Sequence, residues 1–302
     1  MSTLLDILVQ DILPIFVVIG LGYAFARRAR PELRTASRLT FYILSPCLVF
    51  VSLIESNING AEIVQIAAFV VAMTIVMGLL ALVTARLLHF GPRSTAGFLL
   101  AVMFVNAGNY GLGVTRLAFG TEAEARAVIY FVASSVLVYT LGVLIATGFA
   151  GGWRGTLKQL LSLPHVYALF AVFIIRAANW QVPQPIMAGL TFPAQAAIPM
   201  MLVLLGMQLA NASIGESWKA ASIGSLLRLV VGPIVAVVLA IPFALSGPAR
   251  QAGILEASMP VAVINTIIAH EYEAEPQLVT STVVISTLIS PITLSIVIAL
   301  LK

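Results

Sequence analysis

Two amide side chains in a glycine-rich segment have the clearest capacity for chemistry in this sequence. Asn106 and Asn109 stand in a run that ends at Gly113, within an apolar stretch long enough to cross a membrane. An amide both donates and accepts hydrogen bonds, so each could bind a carboxylate through its NH2 or a cation through its oxygen. At bilayer depth an irregular segment survives only when it is buried or lines a polar cavity. The pattern therefore predicts a helix that breaks at a working site.

One carboxylate, Glu256, is the second candidate. Of the twelve acidic residues, eleven are expected at the beginnings of helices or in loops, and Glu256 alone several residues inside an apolar segment. Burying a charge there costs about 3 kcal/mol on insertion scales, which favours a functional reason for it. The carboxylate would take a proton, or would replace part of the water shell of a cation such as sodium. The alternative is that the helix begins late and that Glu256 lies in a hydrated vestibule.

Other polar residues are weaker candidates. Ser134, Ser135 and Asn265 are expected at depth in apolar segments. Hydroxyl side chains bond so often to carbonyls of their own helix that packing is the better interpretation of each serine taken alone. The asparagines near the break also have a structural alternative, because their amides can satisfy the backbone groups that the break frees.

Composition defines the class of protein. The 302 residues are 60% hydrophobic and 9% charged, whereas a soluble domain has about 25% charged residues. We therefore predict an all-α polytopic membrane protein with ten transmembrane helices, each near the ~20 residues that a spanning helix needs. These helices, called segments 1 to 10, are Ile7–Ala26, Leu39–Ile54, Ile63–Ala85, Ser94–Phe119, Ala127–Ala150, Gln159–Ile175, Pro185–Ala212, Leu229–Ser246, Gln251–Ala269 and Pro276–Leu301.

The positive charges lie at the ends of these segments and predict the orientation of the chain. If the N-terminus is outside, eleven Lys and Arg residues fall on the inner side, Arg228 among them, and five on the outer side. The positive-inside rule then places both termini outside, on the periplasmic face of the inner cell membrane. Basic residues at helix ends give no sign of nucleic-acid binding.

Enzyme chemistry has little support in the sequence. The three histidines fall at segment ends, so neither a Ser–His pair nor a histidine metal site is apparent within the membrane. No phosphate-binding glycine loop with lysine occurs, and the single Cys47 excludes an intrachain disulfide. We expect no enzyme activity, and no cofactor other than a sodium ion.

An internal repeat divides the chain into two halves. A shift of 153 residues (199 − 46) lays Pro46 on Pro199. The same shift lays Ala107, inside the glycine-rich segment, on Pro260 of segment 9. Each half has five helices, an odd number, so the repeat would be inverted, with corresponding interruptions as in many secondary transporters. Chance alignment is the alternative, because proline and glycine are common in membrane helices. The predicted units are residues 1–150, a linker of residues 151–163, and residues 164–302.

Four motifs are distributed over nearly the whole chain. They are Tyr42–Phe50, the Asn-x-Gly-Asn-x-Gly pattern from Asn106 to Gly111, Leu205–Leu209 and Ala257–Ala262. With these motifs the chain resembles the auxin efflux carrier family, which holds plant auxin exporters and bacterial permeases for small carboxylates. Gly113 departs from the family pattern, which usually has proline there.

The resemblance implies a ten-helix fold similar to that of bile acid:sodium symporters. Segments 1, 2, 6 and 7 would form a scaffold, often a homodimer, and segments 3–5 and 8–10 would form a transport domain that moves in the lipid bilayer. A glutamate just before the second interruption helps to bind sodium in that wider fold, and Glu256 resembles it. The long cytosolic loop of many plant exporters is missing, so a prokaryotic permease is the better comparison.

The function predicted from the sequence is secondary active transport of a small organic anion by elevator-like alternating access, coupled to sodium or protons. The predicted substrate-binding residues are Pro46, Asn106, Gly108, Asn109, Gly111, Ser258, Pro260, Val261 and Asn265. The predicted coupling-ion residues are Asn106, Asn109, Ser134, Ser135 and Glu256. The alternatives are an uncoupled uniporter or channel for small anions and a membrane sensor without flux.

Overall fold

The computed structural model describes residues 4–148 and 160–302. Their regular secondary structure is helical, and these two ranges contain no strand beyond one isolated backbone bridge. Seven helical stretches of the described residues are long and apolar enough to cross a membrane. They are Leu4–Ala29, Leu33–Glu55, Gly60–Leu87, Ala107–Ala146, Gln184–Ala210, Trp218–Ala240 and Pro276–Leu301. The predicted all-helical, multi-pass membrane class is confirmed.

The described helices are labelled in chain order. They are α1 (Leu4–Ala29), α2 (Leu33–Glu55), α3 (Gly60–Leu87), α4 (Pro92–Met103), α5 (107–119), α6 (121–146), α7 (Pro164–Ala177), α8 (Gln184–Ala210), α9 (Trp218–Ala240), α10 (Gly247–Ala257), α11 (Ile264–Glu271) and α12 (Pro276–Leu301). Gly120 separates α5 from α6 with φ 80° and ψ −171°. A side chain would be strained at this φ, so glycine permits the turn.

Segments 4 and 9 are both interrupted, and the two interruptions lie against each other. The first separates α4 from α5, and the second separates α10 from α11. The Asn106 N–H donates to the Pro260 carbonyl over 2.8 Å. The Ala262 N–H donates to the Phe104 carbonyl over 3.1 Å. Each interruption thus satisfies backbone groups of the other, which avoids the cost of leaving them unpaired in a membrane.

Helix α5, which follows the first interruption, begins earlier than the glycine-rich segment suggests. Ala107–Gly111 form a wide π-helical turn that leads directly into the α-helix from Leu112. The irregular backbone is therefore residues 104–106, and most of the glycine-rich segment is the first turn of α5. A Cβ at Gly113 would lie 3.2 Å from Ile15 Cδ1, so glycine allows α1 to approach closely.

The predicted start of segment 8 is wrong. Helix α9 begins at Trp218, eleven residues (229 − 218) before the predicted Leu229. Arg228 lies inside this helix with 1% of its surface exposed. The sequence places Arg228 at a helix end because a charge in an apolar run ordinarily marks one. Without Arg228, the predicted inner side has ten Lys and Arg residues (11 − 1), and the outer side has five.

The predicted linker is described only in part. Residues 149–159 lie outside the described ranges, and they contain Arg154, Lys158 and most of the linker 151–163. Helix α7 begins at Pro164, five residues (164 − 159) after the predicted start of segment 6. Proline suits this first position, because the N–H that it lacks would have no partner within the helix.

Two glycines let α1 and α8 approach each other closely. A Cβ at Gly206 would lie 1.9 Å from the Ile19 carbonyl oxygen. A Cβ at Gly22 would lie 2.2 Å from the Val203 carbonyl oxygen. Small residues at such positions let membrane helices pack backbone to backbone. The contact therefore requires glycine on both helices.

We expect Gly206→Ala to lower the melting temperature of the purified protein, because the added methyl group would overlap backbone atoms that cannot rotate away. Overpacking of this kind costs about 1–3 kcal/mol or more. Gly189→Ala, on the same helix, is the control, since a Cβ there meets nothing within 4 Å. Thermal unfolding in detergent measures both variants, and equal melting temperatures would contradict the close contact.

Candidate functional site

A cavity of about 960 Å³ opens against the starts of α5 and α11. Residues 105–109 form one wall, and residues 262–264 with Thr266 form the next. Helices α2, α6 and α8 supply further polar and aromatic lining, which includes Phe41, Tyr42, Ser45, Phe131, Ser134, Ser135, Tyr139 and Gln208. Three exposed charged residues, Arg34, Arg38 and Glu271, also line the cavity.

The cavity brings together five of the residues selected from the sequence. Asn106, Gly108, Asn109, Ser134 and Ser135 all line it. Three of them lie at the α4–α5 interruption and the first turn of α5, and two lie on α6. The interruption and its neighbouring helix therefore face one space, where amides and hydroxyls offer both donors and acceptors to a ligand.

Three selected residues of the second interruption hold the backbone and do not line the cavity. The Ser258 hydroxyl donates to the Ile254 carbonyl over 2.7 Å. The Val261 N–H donates to Ser286 Oγ over 3.2 Å. The Pro260 carbonyl accepts the bond from the first interruption. These residues keep the segment between α10 and α11 in place behind the cavity wall.

Asn265 also has a supporting position. Its Nδ2 donates to the Leu100 carbonyl over 2.9 Å and to the Phe104 carbonyl over 3.1 Å. The last carbonyls of a helix have no partner within it. A side chain of α11 therefore caps the end of α4 and ties the two interruptions together.

Three polar atoms in the cavity wall have no hydrogen-bond partner within the described residues. They are Ser45 Oγ, Asn106 Nδ2 and Gln208 Oε1. Leaving a buried polar atom unpaired costs about 1–3 kcal/mol. The three atoms are enclosed, but the residues that carry them, on α2, at the α4–α5 interruption and on α8, line the cavity on three sides. This arrangement favours a polar ligand inside it.

Sequence reasoning misses Ser45 and Gln208. It selects Pro46, which directly follows Ser45 but does not line the cavity. Gln208 stands in the Leu205–Leu209 motif, where only the resemblance marked it. The available signal is chemical: an amide in an apolar helix is costly in a membrane unless it has a partner or a role.

The helix starts give the cavity a positive electrostatic character. The first N–H groups of a helix have no partner within it, and together they carry about half a positive charge. Residues 107–109 at the start of α5 and Ile264 at the start of α11 both line the cavity. The two helix starts therefore face the same space and favour an anionic group there.

Glu256 lies in α10 with none of its surface exposed. Thr115 Oγ1 donates to its Oε1 over 3.1 Å, and its Oε2 has no partner in the part of the chain that the structure describes. A Cβ at Gly111 would lie 2.0 Å from Oε2, so the carboxylate packs directly against this glycine. The carboxylate thus spans from the second interruption to the first turn of α5.

The prediction that Glu256 alone is embedded is wrong. Asp11 and Glu124 are buried as well. Asp11 pairs with Lys302 at 2.5 Å, and Glu124 pairs with Arg116 at 3.2 Å. Both residues lie near predicted segment ends, where acidic residues are ordinarily exposed, so the sequence does not indicate that they are buried. Glu256 differs because no Lys or Arg of the described ranges lies within 4 Å of it.

The predicted coupling-ion residues divide between two places. Ser134 and Ser135 line the cavity, whereas Glu256 does not. Thr115, which the sequence does not single out, is the residue that bonds to the Glu256 carboxylate. Gly111 separates the carboxylate from the cavity-lining residues that precede it in the same turn.

A family model described as Membrane transport protein matches residues 7–151 and 154–298. The chain belongs to the auxin efflux carrier family. This is a family of membrane transporters and not of enzymes, in agreement with the expectation from the sequence.

Other proteins of this kind align with the chain. An "Uncharacterized transporter" of Methanothermobacter thermautotrophicus is 27% identical over 94% of this chain and 95% of its own length. A "Putative malonate transporter" of Rhizobium meliloti is 24% identical over 94% of this chain and 92% of its own length. Auxin efflux carrier component 8 of Arabidopsis thaliana is 28% identical over 46% of this chain and 40% of its own length.

Proposed function

We propose that this auxin efflux carrier family member is a secondary active transporter of a small organic anion, coupled to sodium or protons. The observation that carries the proposal is the cavity, which is lined beside the paired interruptions by two helix starts and by three residues that each have an unpartnered polar atom. Interrupted helices that meet in this way form the substrate sites of many secondary transporters.

The lining of the cavity favours an anion with a small carbon skeleton. Its volume lies in the range of about 300–1,000 Å³ that is typical of small-molecule sites. Arg34 and Arg38 outnumber Glu271 among the exposed charges of the lining and so favour the entry of anions, and Asn106 with the helix starts supplies hydrogen-bond donors. Phe41 and Phe131 form an apolar surface for the skeleton. The similarity to the "Putative malonate transporter" supports a small carboxylate.

Glu256 is the proposed coupling residue. Its unpartnered Oε2 and the nearby Thr115 hydroxyl offer oxygen ligands to a sodium ion, and the carboxylate can take a proton instead. The carboxylate contacts Gly111, in the same turn as Asn109. An ion or a proton bound at Glu256 would therefore affect the positions of the amides that bind the substrate.

An elevator mechanism is the proposed form of alternating access. The ten segments would form two inverted repeats, with α4–α5 and α10–α11 as the corresponding broken helices. Helices α1, α2, α7 and α8 would form the scaffold and the interface of a homodimer, and the other helices would move. Ser45 and Gln208 lie on the proposed scaffold and Asn106 on the moving part, so sliding would separate the partners of a bound substrate. Both termini would lie outside the inner membrane.

We expect carboxylates that bind to raise the melting temperature of the purified protein, because a ligand stabilises the state that it binds, by about 2.7 kcal/mol at 100 Kd. A panel of short mono- and dicarboxylates, each with and without sodium, tests this. Asn106→Ala should abolish the increase by removing a donor from the cavity. Asn57→Ala, at an exposed loop position, is the control. An increase that survives in Asn106→Ala would contradict the proposed site.

A further inference from the structure

Arg228 is a fully buried arginine at the centre of a membrane helix. It lies in α9 with 1% of its surface exposed. None of the described carboxylates forms an ion pair with it. A charged side chain at such depth is expensive and is ordinarily retained for a function.

The guanidinium of Arg228 contacts the C-terminal ends of α4 and α10, the helices that precede the two interruptions. Its Nη1 donates to the Val102 carbonyl over 2.9 Å, and its Nη2 donates to the Ala257 carbonyl. Val102 lies in the last turn of α4, and Ala257 is the last residue of α10. These carbonyls have no partner within their helices and carry the negative end of the helix dipole. One cation therefore caps both helix ends.

The local structure of α9 makes room for this contact. Residues Leu227–Val231 form a π-helical turn, a widened geometry that is frequent at functional sites. A Cβ at Gly232 would lie 2.5 Å from Arg228 Nη2. Glycine at this position therefore leaves space for the guanidinium to reach across to α4 and α10.

We propose that Arg228 is a positioning residue that clamps the ends of α4 and α10, so that the two interruptions keep one fixed arrangement and move as one body. The movement rests on the proposed transport function, whereas the clamp concerns the geometry of the interruptions alone. Arginine suits the task because its planar fork donates in two directions from one charge, whereas a lysine ammonium is a point charge on a flexible stem. The amide of Asn106 and the start of α11 then hold their places in the cavity wall.

The clamp can be measured by a disulfide across the interruptions, without any substrate. Val105 and Val261 face each other in an antiparallel bridge. The two backbone hydrogen bonds between the interruptions flank Val105 and Val261, which therefore form a non-hydrogen-bonded antiparallel pair. The Cα atoms of such a pair are about 4.5 Å apart, a distance that suits a disulfide. Cysteines at both positions, in a Cys47→Ala background, form the reporter. Val105 lines the cavity with 5% of its surface exposed and Val261 is fully buried, so the oxidant must be small enough to enter the cavity.

We expect the reporter to oxidise rapidly with Arg228 in place and about tenfold or more slowly with Arg228→Gln, because the charge-assisted bonds that align the segments are lost. Arg228→Lys should restore part of the rate. Arg176→Gln is the matched control: Arg176 likewise donates to carbonyls at a helix end, those of Leu53 and Ser56, but on α2 away from the interruptions. It should leave the rate unchanged.

A second variant covers the case in which Arg228→Gln does not fold. Gly232→Ala displaces the guanidinium and keeps its charge, and it should also slow oxidation. Oxidation at the parental rate in a folded Arg228→Gln or Gly232→Ala protein would overturn the clamp, as would equal slowing by Arg176→Gln. If Arg228→Gln slows oxidation but the parental protein transports no carboxylate, the result would support the clamp and count against the transport proposal alone.

Discussion

Alanine at Gly111 is expected to abolish saturable uptake. The added Cβ would lie 2.0 Å from Glu256 Oε2 and 2.6 Å from its Cδ, far inside contact distance. Glu256 is fully buried and Gly111 is buried too, so the carboxylate would have to leave its place beside Thr115. One methyl group would thereby disturb the proposed ion site and the turn that carries Asn109 together. Overpacking at such a site costs about 1–3 kcal/mol.

Uptake of a labelled carboxylate into proteoliposomes measures this effect, with folding checked by size-exclusion chromatography. Gly20→Ala on α1 is the matched control, because a Cβ there meets nothing within 4 Å. It should transport at the parental rate. Normal uptake by a folded Gly111→Ala protein would show that the contact between the turn and the carboxylate has no part in transport.

Glu256→Gln is expected to remove the dependence of accumulation on an ion gradient. Glutamine keeps the shape of the side chain and a hydrogen-bonding oxygen for Thr115, but it has no charge for a sodium ion and no proton to exchange. Accumulation against a concentration gradient should therefore fall to equilibration. The measurement is uptake by proteoliposomes with an imposed sodium or proton gradient, compared with uptake without one.

Glu124→Gln separates this effect from the general cost of altering a buried carboxylate. Glu124 is also buried, but it pairs with Arg116, so its loss should lower stability and spare the ion dependence. The loss of stability should be small, because the side chain of Arg116 is about half exposed and water screens its unpaired charge. Unchanged gradient-driven accumulation in a folded Glu256→Gln protein would remove Glu256 from the coupling mechanism.

The sequence locates the interruptions because local chemistry determines them. Asn106 with its neighbouring glycines, and Pro260, mark the two places by their residue types, and a shift of 153 residues lays Ala107 on Pro260. Glu256 is found for a similar reason, because a carboxylate inside an apolar run can be recognised from the sequence alone. The hydrogen bonds between residues 104–106 and 260–262 show how the broken backbone is satisfied.

Residues whose roles depend on distant packing are beyond sequence reasoning. Arg228 bonds to carbonyls 126 and 29 positions away in the chain, so its charge in the sequence resembles an ordinary helix end. Ser45 and Gln208 matter because two helices place them in one cavity wall. The reach of Glu256 to Gly111 likewise follows from the way α10 packs against α5.

The most direct test of the central claim is counterflow in proteoliposomes loaded with unlabelled carboxylate. An alternating-access carrier predicts saturable entry of labelled substrate that rises when substrate is present inside, and loss of this entry in Asn109→Ala, whose side chain lines the cavity. Entry that increases linearly with concentration, ignores substrate inside and persists in Asn109→Ala would contradict a carrier with its site at the paired interruptions.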